Sequence, residues 1–119
     1  RDDIVEKLIK DFIKELSNVS DVGNANDEKH LRKYLNSLSE EDFYILFSAW
    51  DIGRDLIGTP ETTREEIEEF GGKKALLLQN VELLKQNFPY EDSATFDYFL
   101  EKKPMHIKNA LREFLFLEI

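Results

Sequence analysis

The sequence predicts an all-α fold, a compact bundle of six or seven helices with a buried central helix around residues 40–57. Three observations predict it. Apolar residues recur at spacings of three and four along most of the chain. Helix punctuation recurs at Ser39, Gly58-Thr59-Pro60, Gly71-Gly72, Pro89 and Pro104. Nowhere do two alternating runs flank a hairpin turn, so no β-sheet is expected. With 119 residues, of which 41% are hydrophobic and 12% aromatic, residues 1–119 read as a single domain able to bury a core.

Each element has its own justification. Ile4, Val5, Leu8, Ile9, Phe12, Ile13 and Leu16 form one apolar stripe, which predicts a first helix over about Asp2 to Ser17. Asn18 to Asn26, NVSDVGNAN, is rich in residues that hydrogen-bond their own backbone or accept positive φ, and reads as a loop. A second, shorter helix carries Leu31, Tyr34, Leu35 and Leu38 on its inner face. Ser39 opens the third: its hydroxyl can accept from an orphan backbone N–H, and Glu40, Glu41 and Asp42 fall where the helix dipole favours negative charge. FYILFSAW, Phe43 to Trp50, is apolar on nearly every side, which places this helix at the centre.

Gly58, Thr59 and Pro60 end or interrupt that helix, because proline cannot continue one helix but fits the first turn of the next. TPETTREEIEEF then reads as an acidic helix anchored by Ile67 and Phe70. After Gly71-Gly72, Ala75, Leu76, Leu77, Leu78, Val81, Leu83, Leu84 and Phe88 predict another largely buried helix, stopped by Pro89. Asp92 or Ser93 can cap a short helix with Phe96, Phe99 and Leu100. Pro104 opens the last one, with Ile107, Leu111, Phe114 and Leu115 inward.

Composition narrows function by exclusion. The absence of cysteine removes disulfides, thiolate metal sites and cysteine nucleophiles. No apolar run approaches the roughly 20 residues of a membrane span, and RDDIVEKLIKDF is unlike a signal peptide; the expectation is a cytoplasmic protein with no membrane contact. A net charge of −9 disfavours direct nucleic-acid binding through a basic face. That charge is uneven. Between Ser39 and Glu69 stand Glu40, Glu41, Asp42, Asp51, Asp55, Glu61, Glu65, Glu66, Glu68 and Glu69, opposed by Arg54 and Arg64 alone, for a local net of −8.

Known site chemistries demand spacings that this sequence does not supply. An EF-hand begun at Asp51 would have Gly53, Leu56 and Thr62 at its third, sixth and twelfth positions, which lack the required ligands and turn glycine. Gly53 and Gly58 open a Walker-like spacing, but Thr59-Pro60 stands where Lys-Ser/Thr must be. His30 and His106 lie in different helices, outside any metal motif, and read as structural or solvated histidines. With 25 acidic residues, carboxylate pairs carry no information about acid–base chemistry. Gly71-Gly72-Lys73-Lys74 at a helix start could hold an anion on exposed N–H groups, against the plainer reading of a turn with solvated lysines. No catalytic residue, metal set or cofactor fingerprint emerges, so the expectation is a protein that is not an enzyme.

SAWDIGRD, residues 48–55, holds the only tryptophan. Trp50 as core, Gly53 as a close-approach point for a neighbouring helix and Arg54 paired with Asp51 is one reading. Trp50 and Arg54 on a partner surface is the other. LRKYLNSLSEEDFYILFSAWDIGRD, from Leu31, and TFDYFLEKKPMHIKNALREFL, from Thr95, together resemble a family of small uncharacterised bacterial helical proteins, a domain of unknown function. In that family a leucine-rich helix and an acidic cap lead into a tryptophan followed by Leu/Ile-Gly-Arg, and an Asp-Tyr-x-Leu-x-x-x-Pro-like segment precedes a closing helix. The matching residues are Trp50, Ile52, Gly53 and Arg54, then Asp97, Tyr98, Leu100 and Pro104; Lys103 intervenes before the proline and Asp55 replaces an expected glycine. The resemblance covers roughly half the chain and implies a helical fold and no known activity.

The leading expectation is a small acidic protein-binding domain that docks a basic partner through residues 40–69. Glu40, Glu41, Asp42, Asp51, Arg54, Asp55, Glu61, Glu65, Glu66, Glu68 and Glu69 are the candidate contacts. An inhibitor or immunity protein presenting carboxylates where the phosphates of a nuclease's substrate would sit fits that charge. The alternative is a housekeeping or regulatory module forming a homodimer through apolar surface such as FLFLEI, where Phe114, Phe116 and Leu117 cannot all face one side of a helix.

Overall fold

The computed structural model describes residues 2–19, 25–90 and 93–119, with side chains at 4–19, 26–90 and 94–119. Seven helices and no strand occur among them: α1 (Asp2–Ser17), α2 (Ala25–Ser37), α3 (Glu40–Gly58), α4 (Pro60–Phe70), α5 (Lys73–Asn87), α6 (Ser93–Leu100) and α7 (Pro104–Phe116). The fold is all-α, as the periodicity predicts. The expected loop over Asn18 to Asn26 ends sooner, because α2 already includes Ala25 and Asn26; residues 20–24 of that segment lie outside the described residues. The cap expected at Asp92 or Ser93 also falls there: Asp92 is not described, and of Ser93 only its helical backbone is.

α3 is the hub. Its start follows from Ser39, whose Oγ accepts the Asp42 N–H at 3.1 Å, with Glu40, Glu41 and Asp42 in the first turn. From Phe43 to Trp50 every residue except the half-buried Ile45 is buried, so polar water contact is available on no face and other helices must cover all sides. α7 packs most extensively against it, followed by α5, with α4 and α1 also in contact. The buried Ser48 hydroxyl donates to the Leu77 carbonyl of α5 at 2.8 Å, and the hydroxyl of buried Tyr44 donates to the Phe88 carbonyl, so both escape the desolvation penalty of an unpaired group.

The centre is aromatic. Phe99 of α6 meets Phe12, Phe43, Phe47 and Trp50 at centroid separations of 5.9, 6.1, 5.4 and 5.3 Å, tying α1, α3 and α6 together. Where α3 crosses α7, a Cβ on Gly53 would lie 1.8 Å from the Ala110 carbonyl oxygen, so the two backbones touch as only glycine permits. The expectation that Gly53 admits a neighbouring helix holds, and α7 is that helix.

Several expected faces differ from the structure, beginning with α1, whose expected stripe loses Ile4, 62% exposed. Phe70 does not anchor α4: it is 46% exposed, while Thr63 is 4% exposed and Ile67 fully buried. The physical reason is a polar anchor. Thr63 Oγ1 donates to the Asp55 carbonyl at 3.1 Å, one of the orphan acceptors at the end of α3, and Thr59 N–H donates to the same oxygen at 2.7 Å. α5 is also less buried than predicted. Leu76, Leu77, Val81 and Leu84 face inward at helical spacing, but Ala75, Leu78 and Leu83 are exposed, so α5 covers one side of α3 rather than lying inside the bundle. In α7 the inward set is Ile107, Ala110, Leu111 and Phe114, with Leu115 only half-buried.

Candidate functional site

The acids of residues 40–69 separate into two groups. Glu40, Glu41 and Asp42 sit at the N-terminal end of α3, and Asp51 lies nine residues further, about 13 Å along the axis. Glu41 accepts from Lys85 Nζ of α5 at 2.9 Å, so its charge is already answered within the fold. The second group gathers where α3 runs out and α4 begins. Here Thr63 and Ile67, four apart, turn inward, which leaves Glu61, Glu65, Glu66, Glu68 and Glu69 on the outside. All five are exposed, and among the described residues none forms an ion pair. Arg64, the base within this helix, is exposed beside them.

Asp55 extends that acidic surface onto α3. Desolvation, then the charge of Asp51, raises its carboxyl above the usual range, with a further push from Glu66 on α4 against the attraction of Arg54. Asp51 differs. It is half-buried, accepts from Arg54 Nη2 at 2.5 Å and from Asn80 Nδ2 of α5 at 3.0 Å, and therefore serves the packing of α3 on α5.

Arg54 is thus tied down inside the molecule's own network. Its guanidinium lies 4.4 Å from the Trp50 ring centroid, and its Nη1 donates weakly to the Tyr98 hydroxyl at 3.4 Å. Burial works against its charge, but the Tyr98 hydrogen bond and the charge of Asp51 outweigh burial and raise its pKa. Trp50 is only 2% exposed. Of the two readings of SAWDIGRD, the structure places the indole in the core and pairs Arg54 with Asp51.

The glycine pair before α5 also resolves. Gly71 and Gly72 both adopt positive φ, 97° and 121°, and close α4 through Gly71 N–H to Glu68 O and Gly72 N–H to Ile67 O. Lys73 is not a solvated lysine. Its Nζ donates to the carbonyls of Phe114, Leu115 and Leu117 at 2.8, 3.1 and 2.5 Å, and its backbone N–H donates to Ile119 O at 2.8 Å. The side chain neutralises the negative end of α7, and the Ile119 carbonyl meets the start of α5 at the backbone N–H that an anion would need.

Phe116 is 73% exposed at the end of α7. It lines a cavity of about 400 Å³ together with Pro60 and Arg64 of α4, so the most exposed large apolar side chain among the described residues adjoins the acidic helix. The histidines stay apart: His30 Nε2 meets Glu15 Oε1 at 2.8 Å and joins α2 to α1, whereas His106 is exposed near the start of α7. Among the described residues no group of three His, Asp or Glu side chains is arranged to hold a metal ion, and no helix is long and apolar enough to cross a membrane. No protein-family model matches the chain, and no curated protein or solved structure matches it either.

Proposed function

We propose that this protein is a small acidic binding module that docks a basic surface of another protein through the outer face of α4. The observation that carries the reading is the set of five exposed carboxylates on α4, Glu61, Glu65, Glu66, Glu68 and Glu69, without an ion-pair partner among the described residues. A helix that merely needed solubility could balance its charges with i,i+4 lysines, as α1 does with Lys7–Asp11 and Lys10–Glu6. Uncompensated like charge costs self-repulsion, and a cationic partner converts that cost into attraction and faster association. Asp55 enlarges the face. Glu41, Asp51 and Arg54 are paired within the fold, and Glu40 and Asp42 stand in the first turn of α3, away from α4, so the proposed contact set does not include them.

Exposed Phe116 beside α4 supplies the apolar anchor that a charged rim surrounds at protein interfaces. A basic enzyme acting on nucleic acid is the partner class whose phosphate-binding surface such carboxylates complement, which is the inhibitor or immunity reading. The test is a pull-down from the native host at low and high salt, run in parallel with a variant carrying glutamine at positions 61, 65, 66, 68 and 69. The expected result is a basic protein captured by the wild type, released by salt and not retained by the variant. Capture that is equal in both, or insensitive to salt, removes the reading.

Phe116 also favours the second reading, a homodimer through apolar surface. Light scattering distinguishes them: a strict monomer across concentrations counts against self-association, and a dimer abolished by Phe116→Glu supports it.

A further inference from the structure

We propose that residues 117–119 form a releasable strap, latched by Lys73, whose opening joins the cavities on its two sides into one apolar groove. α7 ends at Phe116, and Leu117 continues in an extended conformation, φ −70° and ψ 135°. One flank of the segment borders a cavity of about 650 Å³ that reaches Val5 of α1 and Leu77 of α5. The other borders the cavity of about 400 Å³ that reaches Leu56 of α3 and Pro60 of α4. Phe116, Leu117, Glu118 and Ile119 line both, so the segment is the partition between them.

Burial does little to hold this partition. Leu117 is half-buried, Glu118 is exposed and Ile119 is 40% exposed. Polar contacts hold it instead, and they converge on one residue. Among the described residues, the Leu117 carbonyl accepts from Lys73 Nζ and the Ile119 carbonyl from the Lys73 backbone N–H. The other contact of the segment, Leu117 N–H to the Glu113 carbonyl at 3.3 Å, is longer than a good N–H···O bond and reaches no second helix. The ammonium also donates to the Phe114 and Leu115 carbonyls within α7. Opening the strap therefore forfeits one side-chain bond and one backbone bond, while α7 keeps hold of the lysine. A segment with so few buried contacts and bonds opens at a lower free energy than the whole fold does. The floor of the opened groove is apolar: Leu56, Leu77 and Phe114 line the two cavities and are 6%, 0% and 2% exposed while the strap is closed. The strap thus governs access of apolar molecules to the space between α1, α4, α5 and α7.

The Lys73 amide reports closure directly. As the first N–H of α5 it has no acceptor within its own helix, so its protection depends on the Ile119 carbonyl. In the wild type its hydrogen exchange is expected to be at least about tenfold faster than that of residues 43–50 and unchanged by low urea, the mark of a local opening, while theirs accelerates with urea. Lys73→Met is expected to keep the helical circular dichroism of the wild type and to raise Nile red emission severalfold, because this neutral dye enters the opened groove. Lys73→Arg keeps a cation with several donors and is expected to hold dye emission near the wild-type level. A lysine with a merely structural role would lower the melting temperature on Lys73→Met without dye uptake. Exchange at Lys73 as slow as in residues 43–50 or equally dependent on urea, or no gain in dye emission in Lys73→Met, each overturns the proposal. The wild-type urea series decides even where Lys73→Met fails to fold.

Discussion

Gly53 is the residue on which the packing of α3 depends most directly. A Cβ 1.8 Å from the Ala110 oxygen cannot be relieved by a rotamer, because the obstacle is backbone, so Gly53→Ala must push α7 away from α3. The expected cost is about 3 kcal/mol by thermal or denaturant unfolding, at the upper end for overpacking. Ser39→Ala removes one cap hydrogen bond and is expected to cost about 1 kcal/mol. Equal effects of the two would contradict the close crossing. Asp55 makes a prediction about pH. Its pKa is raised in the fold, chiefly by desolvation, so the native state binds that proton more tightly than the unfolded chain does. Its contribution is most favourable below the ordinary carboxylate value of 3.8 and is lost as pH rises through the raised value. Asp55→Asn is therefore expected to raise the melting temperature at pH 7, with the gain vanishing in acid; a fall at pH 7 would show that the Arg54 attraction dominates. Trp50 and Gly53 were readable as core and close-approach residues from the apolar run around them. Thr63 and Lys73 were not, because their roles depend on carbonyls that belong to other helices.

Among the elements, α3 and α2 mark opposite ends of a stability range. α3 is covered by α7, α5, α4 and α1, whereas α2 is held mainly by α6, the Phe12–Tyr34 stack at 5.7 Å, the His30–Glu15 pair and the Arg32–Asp97 ion pair. Exposed polar pairs contribute little, so α2 is expected to open first. Amide hydrogen exchange checks this: protection should be lowest in α2 and highest from Phe43 to Trp50, and slow exchange throughout α2 would refute it. Element boundaries were legible wherever a residue acts through its own backbone. Ser39, Pro60, Gly71-Gly72, Pro89 and Pro104 punctuate the helices as expected. Which face of α4 and α5 lies inward was less legible. Phe70, Leu78 and Leu83 are apolar yet exposed, since a helix on the outside of a bundle has room for only one buried stripe.

At the scale of the whole molecule, carboxylates without an ion pair among the described residues gather on α4. With a net charge of −9 and five carboxylates on α4 that lack an ion pair among the described residues, self-repulsion opposes folding at low ionic strength. The melting temperature is expected to rise between about 20 mM and 500 mM salt, with a Debye length falling from above 10 Å to a few Å. The rise should shrink in the variant with five glutamines on α4. An equal rise in both would show that the repulsion lies elsewhere.

By itself the sequence determined the all-α class, the helix starts and stops, the central position of residues 43–50 and the concentration of acid between 39 and 69, because each follows from local spacing, backbone chemistry or composition. Only the tertiary structure decided which acids are spoken for. Lys85 reaches Glu41 from 44 positions away, Asn80 reaches Asp51 from 29, and Lys73 reaches the Phe114 carbonyl from 41. Those pairings are set by how helices pack across the core, and no periodicity along one segment encodes a partner on another.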